Sequence, residues 1–161
     1  MLDAFPSECR KYSVDPMTPY AGAGVTPVRA DFLEWRPPEP IEIATCFQVM
    51  EHVREPQKFA ARLLEVAEVT IVSVPYKEAP GLNPGHLHSM IDEDTVAEWF
   101  GRRPNYAYIA HELDGGDRII SVFDGRAGER WPTLCGHCEH GLRFRYRWSM
   151  RGAPPAFAEF E

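Results

Sequence analysis

The chain has 161 residues, of which 44% are hydrophobic, 12% aromatic and 25% charged, a balance that suits one compact domain with a sizeable core. No apolar run approaches the ~20 residues of a membrane span and no charged-then-apolar leader opens the sequence, so a soluble, cytoplasmic protein is expected. The net charge of −7 argues weakly against nucleic acid as a partner wrapped over the whole surface and leaves room for a local basic patch.

In chain order, "LDAFPSECRKYSVDP" reads as a short helical piece and then a brief strand, Tyr12 to Asp15, stopped by Pro16. "TPVRADFLEW" offers a second strand around Val28 to Ala30 that ends in Asp31. Ile41 to Phe47 has few polar positions and predicts a third strand covered on both faces. Pro56 suits a first helical turn, and Phe59, Ala60, Leu63, Val66 and Ala67 recur at helical spacing, which predicts a helix through Glu68 with a core-facing stripe. The β-branched "VTIVSVP" predicts a buried strand ended by Pro75. A second helix is expected from Asp92 to Phe100, with capping-box-like spacing between Ser89 and Asp92 and a stop at Gly101. Strands Tyr106 to Glu112 and Arg118 to Phe123 flank "LDGGD", whose Asp114-Gly115-Gly116 favours positive φ and a hairpin turn. Fifteen prolines fall between these segments and punctuate loops. The pattern predicts an α/β fold, mostly parallel with an antiparallel pair at its end.

Ligands of open parallel sheets bind beyond the carboxyl ends of the strands. Here those ends are Asp15-Pro16, Asp31-Phe32, Phe47-Gln48 and Pro75-Tyr76. One carboxylate can accept two ribose hydroxyls. An Asp followed by an aromatic offers an adenine ring an acceptor for its amine and a flat apolar partner.

"YSVDP", "RADFLEW", "IATCFQVMEHVREPQKFAARLLEVA", "VTIVSVPY" and "PGHLHSMIDEDTVAEWF", followed by the hairpin, resemble in that order the S-adenosylmethionine-dependent methyltransferases of the Rossmann-like class. The resemblance is closest to small-molecule members with a "QVLEHV"-type motif and covers roughly Tyr12 to Phe123. It implies S-adenosylmethionine as cofactor and a small-molecule methyl acceptor. By position, Asp15 with Pro16 would hold the ribose and Asp31 with Phe32 the adenine. Phe47 and Gln48 would line the methionine side, and Glu51 and His52 begin the loop facing the substrate.

The family opens with a strand and a D-x-G-x-G turn, whereas this sequence opens at "MLDAFPSECRKY", where the helix after that turn should be ending. An N-terminally truncated sheet is therefore expected, with unpaired edges on two neighbouring strands. "AGAGV", Ala21 to Val25, follows the wrong strand to replace that turn and reads as a turn of its own. The gap has a candidate filler in "LRFRYRW", where Leu142, Phe144, Tyr146 and Trp148 alternate with Arg143, Arg145 and Arg147. That segment would either join the sheet or pair with a second chain, making a homodimer or a partner complex. A methyltransferase-like domain at 1–123 and an extension at 124–161 follow from this reading.

His86 and His88 in "PGHLH" lie in the loop after "VSVPY", where the resemblance implies an active-site loop. Together with His52 they are the candidate catalytic bases, against the plainer role of ordering the loop by hydrogen bonds. Methyl transfer draws much of its acceleration from alignment of nucleophile, methyl carbon and sulfur, so a fixed base is not obligatory. "CGHCEH" supplies Cys135, Cys138, His137 and His140, half of a zinc site, weighed against reduced thiols in a turn. No metal is assigned. A methyltransferase-derived binding or scaffold protein without catalysis is the alternative reading.

Overall fold

The computed structural model describes residues 2, 5–111 and 116–125. Residues 126–161, which include "CGHCEH" and "LRFRYRW", and residues 112–115 of the expected hairpin turn lie outside the described residues. The chain divides into two compact units, Met1–Glu39 and Pro40–Glu161.

The first unit holds two short strands, β1 (Lys11–Val14) and β2 (Val25–Val28), paired in parallel with Lys11 opposite Val25 and Val14 opposite Val28. Of the expected helical piece before β1, Leu2 lies in a 3-10 turn whose carbonyl accepts the Phe5 amide (3.3 Å), and residues 3 and 4 lie outside the described residues. The chain there runs in turns, one closed by the Cys9 amide on the Pro6 carbonyl (3.2 Å), because Pro6 has no amide to continue a helical ladder. β2 begins three residues earlier than the sequence pattern suggests and ends two residues earlier. "AGAGV" forms the turn before it: Gly24 takes φ 70°, and the Val25 amide closes on the Gly22 carbonyl at 3.1 Å.

The second unit is a mixed α/β sheet with two helices. β3 (Ile41–Phe47) lies parallel to β4 (Ala67–Pro75), β4 is antiparallel to β6 (Asp117–Asp124), and β6 is antiparallel to β5 (Tyr106–His111). The spatial order is β3-β4-β6-β5. The sheet is thus less parallel than expected, because β6 inserts between β4 and β5 instead of adding at the edge. β4, flanked on both sides, carries the core: Val69, Thr70, Val72, Ser73, Val74 and Pro75 are all buried.

β3 matches its expected span, yet it is not covered on both faces. Among the described residues it pairs on one side only, and of its seven residues only Cys46 is buried while Ile43 is 44% exposed. An apolar run at the end of a sheet reads in sequence like one at its centre, since side-chain composition does not report neighbours.

Helix α1 (Pro56–Val66) starts on its proline and buries Ala60 and Leu63, with Phe59 and Val66 half-buried. It stops two residues short of the expected end. Ala67 is already extended and pairs opposite Ile41, so strand pairing takes Ala67 and Glu68 away from the helix. Helix α2 (Glu93–Phe100) is capped by Asp92, whose Oδ1 accepts the Thr95 amide (2.9 Å), and ends at Gly101 in the left-handed region, φ 65°. The cap is Asp92 rather than a box begun at Ser89, because the helix starts one residue after Asp92. α2 turns Val96, Trp99 and Phe100 inward, and Phe100 stacks on Phe123 of β6 at 3.9 Å between centroids and 11° between planes.

Among the described residues no helix is long and apolar enough to cross a membrane.

Candidate functional site

In the first unit the parallel register sets the carboxyl ends of β1 and β2 side by side. Asp15 directly follows β1, and its Oδ1 accepts the amides of Met17 (2.7 Å) and Thr18 (2.6 Å). Those two bonds hold its carboxyl below the usual carboxylate range. Pro16 follows, exposed, and its carbonyl accepts Arg29 Nε at 3.2 Å. Asp31 lies three residues past β2 and opens a turn, with Oδ1 accepting the Leu33 amide (2.9 Å) and its carbonyl accepting the Trp35 amide (2.9 Å). Phe32 is half-buried, 6.3 Å from the Trp35 ring, which is in turn 6.0 Å from Tyr12. The Tyr12 hydroxyl donates to Glu39 (2.7 Å), which also pairs with Arg10, and this bond raises the phenol's pKa.

In the second unit, Phe47 ends β3 and Gln48 follows with φ 55°, a left-handed conformation uncommon for a residue with a side chain. Two bonds to one β4 residue hold Gln48 there: its amide donates to the Ser73 carbonyl (2.9 Å) and its Nε2 to Ser73 Oγ (3.2 Å). The chain then makes a single 3-10 turn, Met50–His52.

The long loop between β4 and α2 folds back onto that turn. Its base is closed where the Lys77 amide donates to the Ile91 carbonyl and the Met90 amide to the Glu78 carbonyl, both at 2.8 Å. Lys77 (φ 51°) and Met90 (φ 54°) are also left-handed, so two strained positions sit at the loop's two feet. Further along, the amides of Leu87 (2.8 Å) and His88 (3.2 Å) both reach the carbonyl of Glu51.

This path sorts the three histidines. A carbonyl only accepts, so His52 Nδ1, 2.8 Å from the Gly85 carbonyl, carries the proton and its Nε2 keeps a lone pair. Asn83 Oδ1 accepts the Gly85 amide (3.0 Å), which aims its Nδ2 at His86 Nε2 (3.0 Å). The proton of His86 is therefore on Nδ1, which donates to the Glu78 carboxylate. Glu78 thus fixes the tautomer and orientation of a largely buried imidazole. His52 and His86 meet edge-on, 4.8 Å between centroids. His88 is spent differently: Nε2 donates to the Val53 carbonyl (2.8 Å) and the ring packs against Trp99 at 5.3 Å, a loop-anchoring arrangement.

Glu51 lies beside this pair. It is wholly buried, and neither carboxylate oxygen has a hydrogen-bond partner among the described residues. Burial pushes its pKa up, opposed by its own amide and by His52 and His86. One oxygen of Glu51, one nitrogen of His52 and one of His86 all lie within 4.8 Å of one another. The sequence gives no periodic signal for Glu78 or Asn83, since their roles arise only from the loop's return onto Met50–His52.

Burial and, secondarily, the Glu51 charge push the Cys46 thiol up to about 12. Cys9 is exposed. Iodoacetamide at pH 8, mapped by mass spectrometry, is expected to alkylate Cys9 and leave Cys46 untouched, since roughly one Cys46 in 10⁴ is then thiolate. Labelling of both at similar rates would show that β3 opens readily.

A pocket of about 350 Å³ lies at the Ala67 end of β4, lined by Leu64, Arg102, Asn105 and Asp124 among others. The histidines sit beyond the opposite end of that strand, so the pocket and the chemistry do not coincide.

No protein-family model matches the chain, and no curated protein sequence matches it significantly. Among solved structures the chain is similar to the N-terminal domain of EvdMO1 in the presence of SAH and D-fucose, at 16% identity and a TM-score of 0.45, over 65% of this chain and 56% of that one. It is similar also to the same domain with SAH bound, at 17% identity and a TM-score of 0.45, over 64% and 55%. The chain thus spans little more than half the length of these domains.

Proposed function

We propose that this chain is a methyltransferase-like protein that binds S-adenosylmethionine and serves methyl transfer to a small-molecule acceptor. The observation that supports it most is the parallel pairing of β1 with β2, which brings Asp15 and the Asp31-Phe32 pair to one end of one sheet. A nucleoside needs that juxtaposition of two carboxylates and an aromatic face. The residues fit the group: Asp15 is held in its charged form by two amides, and Phe32 stands among Trp35 and Tyr12 as an apolar wall. Within the first unit, Asp15 and Pro16 would hold the ribose and Asp31 and Phe32 the adenine. Bound S-adenosylmethionine supplies an electrophilic methyl group.

What the chain itself offers an acceptor is a proton acceptor of fixed orientation. His86, with Nδ1 committed to Glu78, presents Nε2 as a base once the Asn83 amide is displaced by an acceptor hydroxyl. His52 presents a second lone pair beside it. His88 anchors the loop.

Isothermal titration with S-adenosylmethionine and S-adenosylhomocysteine tests the reading. Micromolar binding to the wild-type chain, lost in Asp31→Ala, is expected. Absence of heat at any reachable concentration would sink it. That outcome would favour a catalytically inactive binding or scaffold protein whose sheet is completed by its C-terminal segment or a partner chain. The edge of β3 that has no partner among the described residues, with Ile43 exposed, is the feature that speaks for this second reading.

A further inference from the structure

We infer that Glu51, His52 and His86 form a binding site for a divalent first-row transition-metal ion. The inference stands on the geometry of the second unit alone and does not need bound S-adenosylmethionine; with the ion in place the two Nε2 lone pairs are its ligands and no longer serve an acceptor as a base.

The first ground is the state of Glu51. Native proteins pair their buried polar groups, and a carboxylate shut from water with both oxygens idle is among the costlier exceptions. A cation held against it supplies the missing partner. The second ground is the donor set. Two imidazole nitrogens and one carboxylate oxygen suit zinc and its neighbours rather than calcium or magnesium, which take mostly oxygen. The third is the ordering around the histidines. A metal-bound imidazole usually donates its remaining N–H to a carboxylate or a backbone carbonyl, which leaves the ligating nitrogen unprotonated. His86 donates Nδ1–H to Glu78, and His52 donates Nδ1–H to the Gly85 carbonyl. Both Nε2 atoms are therefore in the form a metal requires.

Two adjustments are needed. One donor atom of each residue lies within 4.8 Å of the others, and the ligands of a tetrahedral ion at ~2.1 Å stand ~3.4 Å apart, so they must close by up to ~1.4 Å. His86 Nε2 must also give up the Asn83 amide, a neutral donor on an exposed stretch of loop. His52 is itself exposed, which leaves the ion a path from solvent and at least one open coordination position.

Cys135, Cys138, His137 and His140 offer softer ligands elsewhere in the chain, so the test uses the full chain carrying Cys135→Ser and Cys138→Ser, stripped with EDTA and desalted. Zinc chloride is titrated calorimetrically and cobalt chloride by visible absorption. One ion per chain is expected, with cobalt bands lacking the intense near-ultraviolet thiolate charge transfer. Affinity should fall at least ~10-fold in Glu51→Gln and in His52→Ala, and about 10–100-fold in Glu78→Gln, which acts only through His86. Zinc should raise the thermal midpoint of the parent chain and not that of Glu51→Gln. No binding in the parent, or equal affinity in Glu51→Gln and His52→Ala, would overturn the site. His52 is exposed, so its variant remains informative even where Glu51→Gln folds poorly. Metal binding without S-adenosylmethionine binding would leave this site standing and the methyl-transfer reading fallen, and the reverse result would separate them equally well.

Discussion

Phe123→Ala is expected to destabilise the second unit by about 3–5 kcal/mol, the range for emptying a well-packed aromatic site. Phe123 has no exposed surface, stacks on Phe100 of α2 and lies under the Arg102 guanidinium at 5.3 Å. Its strand, β6, is the one between β4 and β5, so the cavity would open where helix, central strand and hairpin meet. A domain of this size carries about 5–15 kcal/mol in total, so the variant should sit near its unfolding threshold at room temperature. Urea unfolding followed by tryptophan fluorescence reads the change, with Trp99 of α2 buried close to the same core. Phe123→Leu should recover more than half of the loss. A shift under about 1 kcal/mol for the alanine variant would mean that α2 does not pack on β6 in solution.

The opposite sign is expected at Glu51. In chelator-treated protein, Glu51→Met should raise stability by about 1–3 kcal/mol, since a buried charge without a partner costs more than a thioether of similar size. The pH dependence carries a second signature. Burial raises the folded pKa of Glu51 above its ordinary 4.5, against the pull of its own amide, His52 and His86 and with the push of Glu78. Between the unfolded and folded values the native state binds the extra proton, so the stability of the metal-free wild type falls as pH rises above 4.5 and levels off past the folded value. Glu51→Met should lack that decline. Equal stability of the two proteins across this window would show that Glu51 has a partner in solution. Added zinc should reverse the ranking, stabilising the wild type alone. A residue that weakens the empty fold and strengthens the loaded one is what a binding site costs its scaffold.

Local pattern was enough to locate most elements. The span of β3, the proline start of α1, the buried β4 and the antiparallel pairing of β5 with β6 follow from apolar periodicity and from where proline and glycine fall. Those signals are short-range, and backbone propensity answers to them directly. They misplace the C-terminal end of α1 because competition between a helical and an extended Ala67 is settled by Ile41, far away in sequence. They also misjudge the cover on β3, which pairs on one side only among the described residues, because whether a strand has one neighbour or two is no property of its own residues.

The same division runs through the site. Residue type and loop position in "QVMEHV" and "PGHLH" are enough to single out His52, His86 and His88 as side chains able to do chemistry. Which histidine faces which partner follows from the folded path of the loop. The loop from Lys77 to Met90 returns across the Met50–His52 turn, giving His52 the Gly85 carbonyl, His86 the Glu78 carboxylate and His88 the Val53 carbonyl, over separations of 33, 8 and 35 residues. It also bonds the Glu51 carbonyl through the Leu87 and His88 amides, while the Glu51 carboxylate has no partner among the described residues. Residue type sets what a side chain can donate or accept, whereas burial and pairing depend on which distant backbone the chain brings to it.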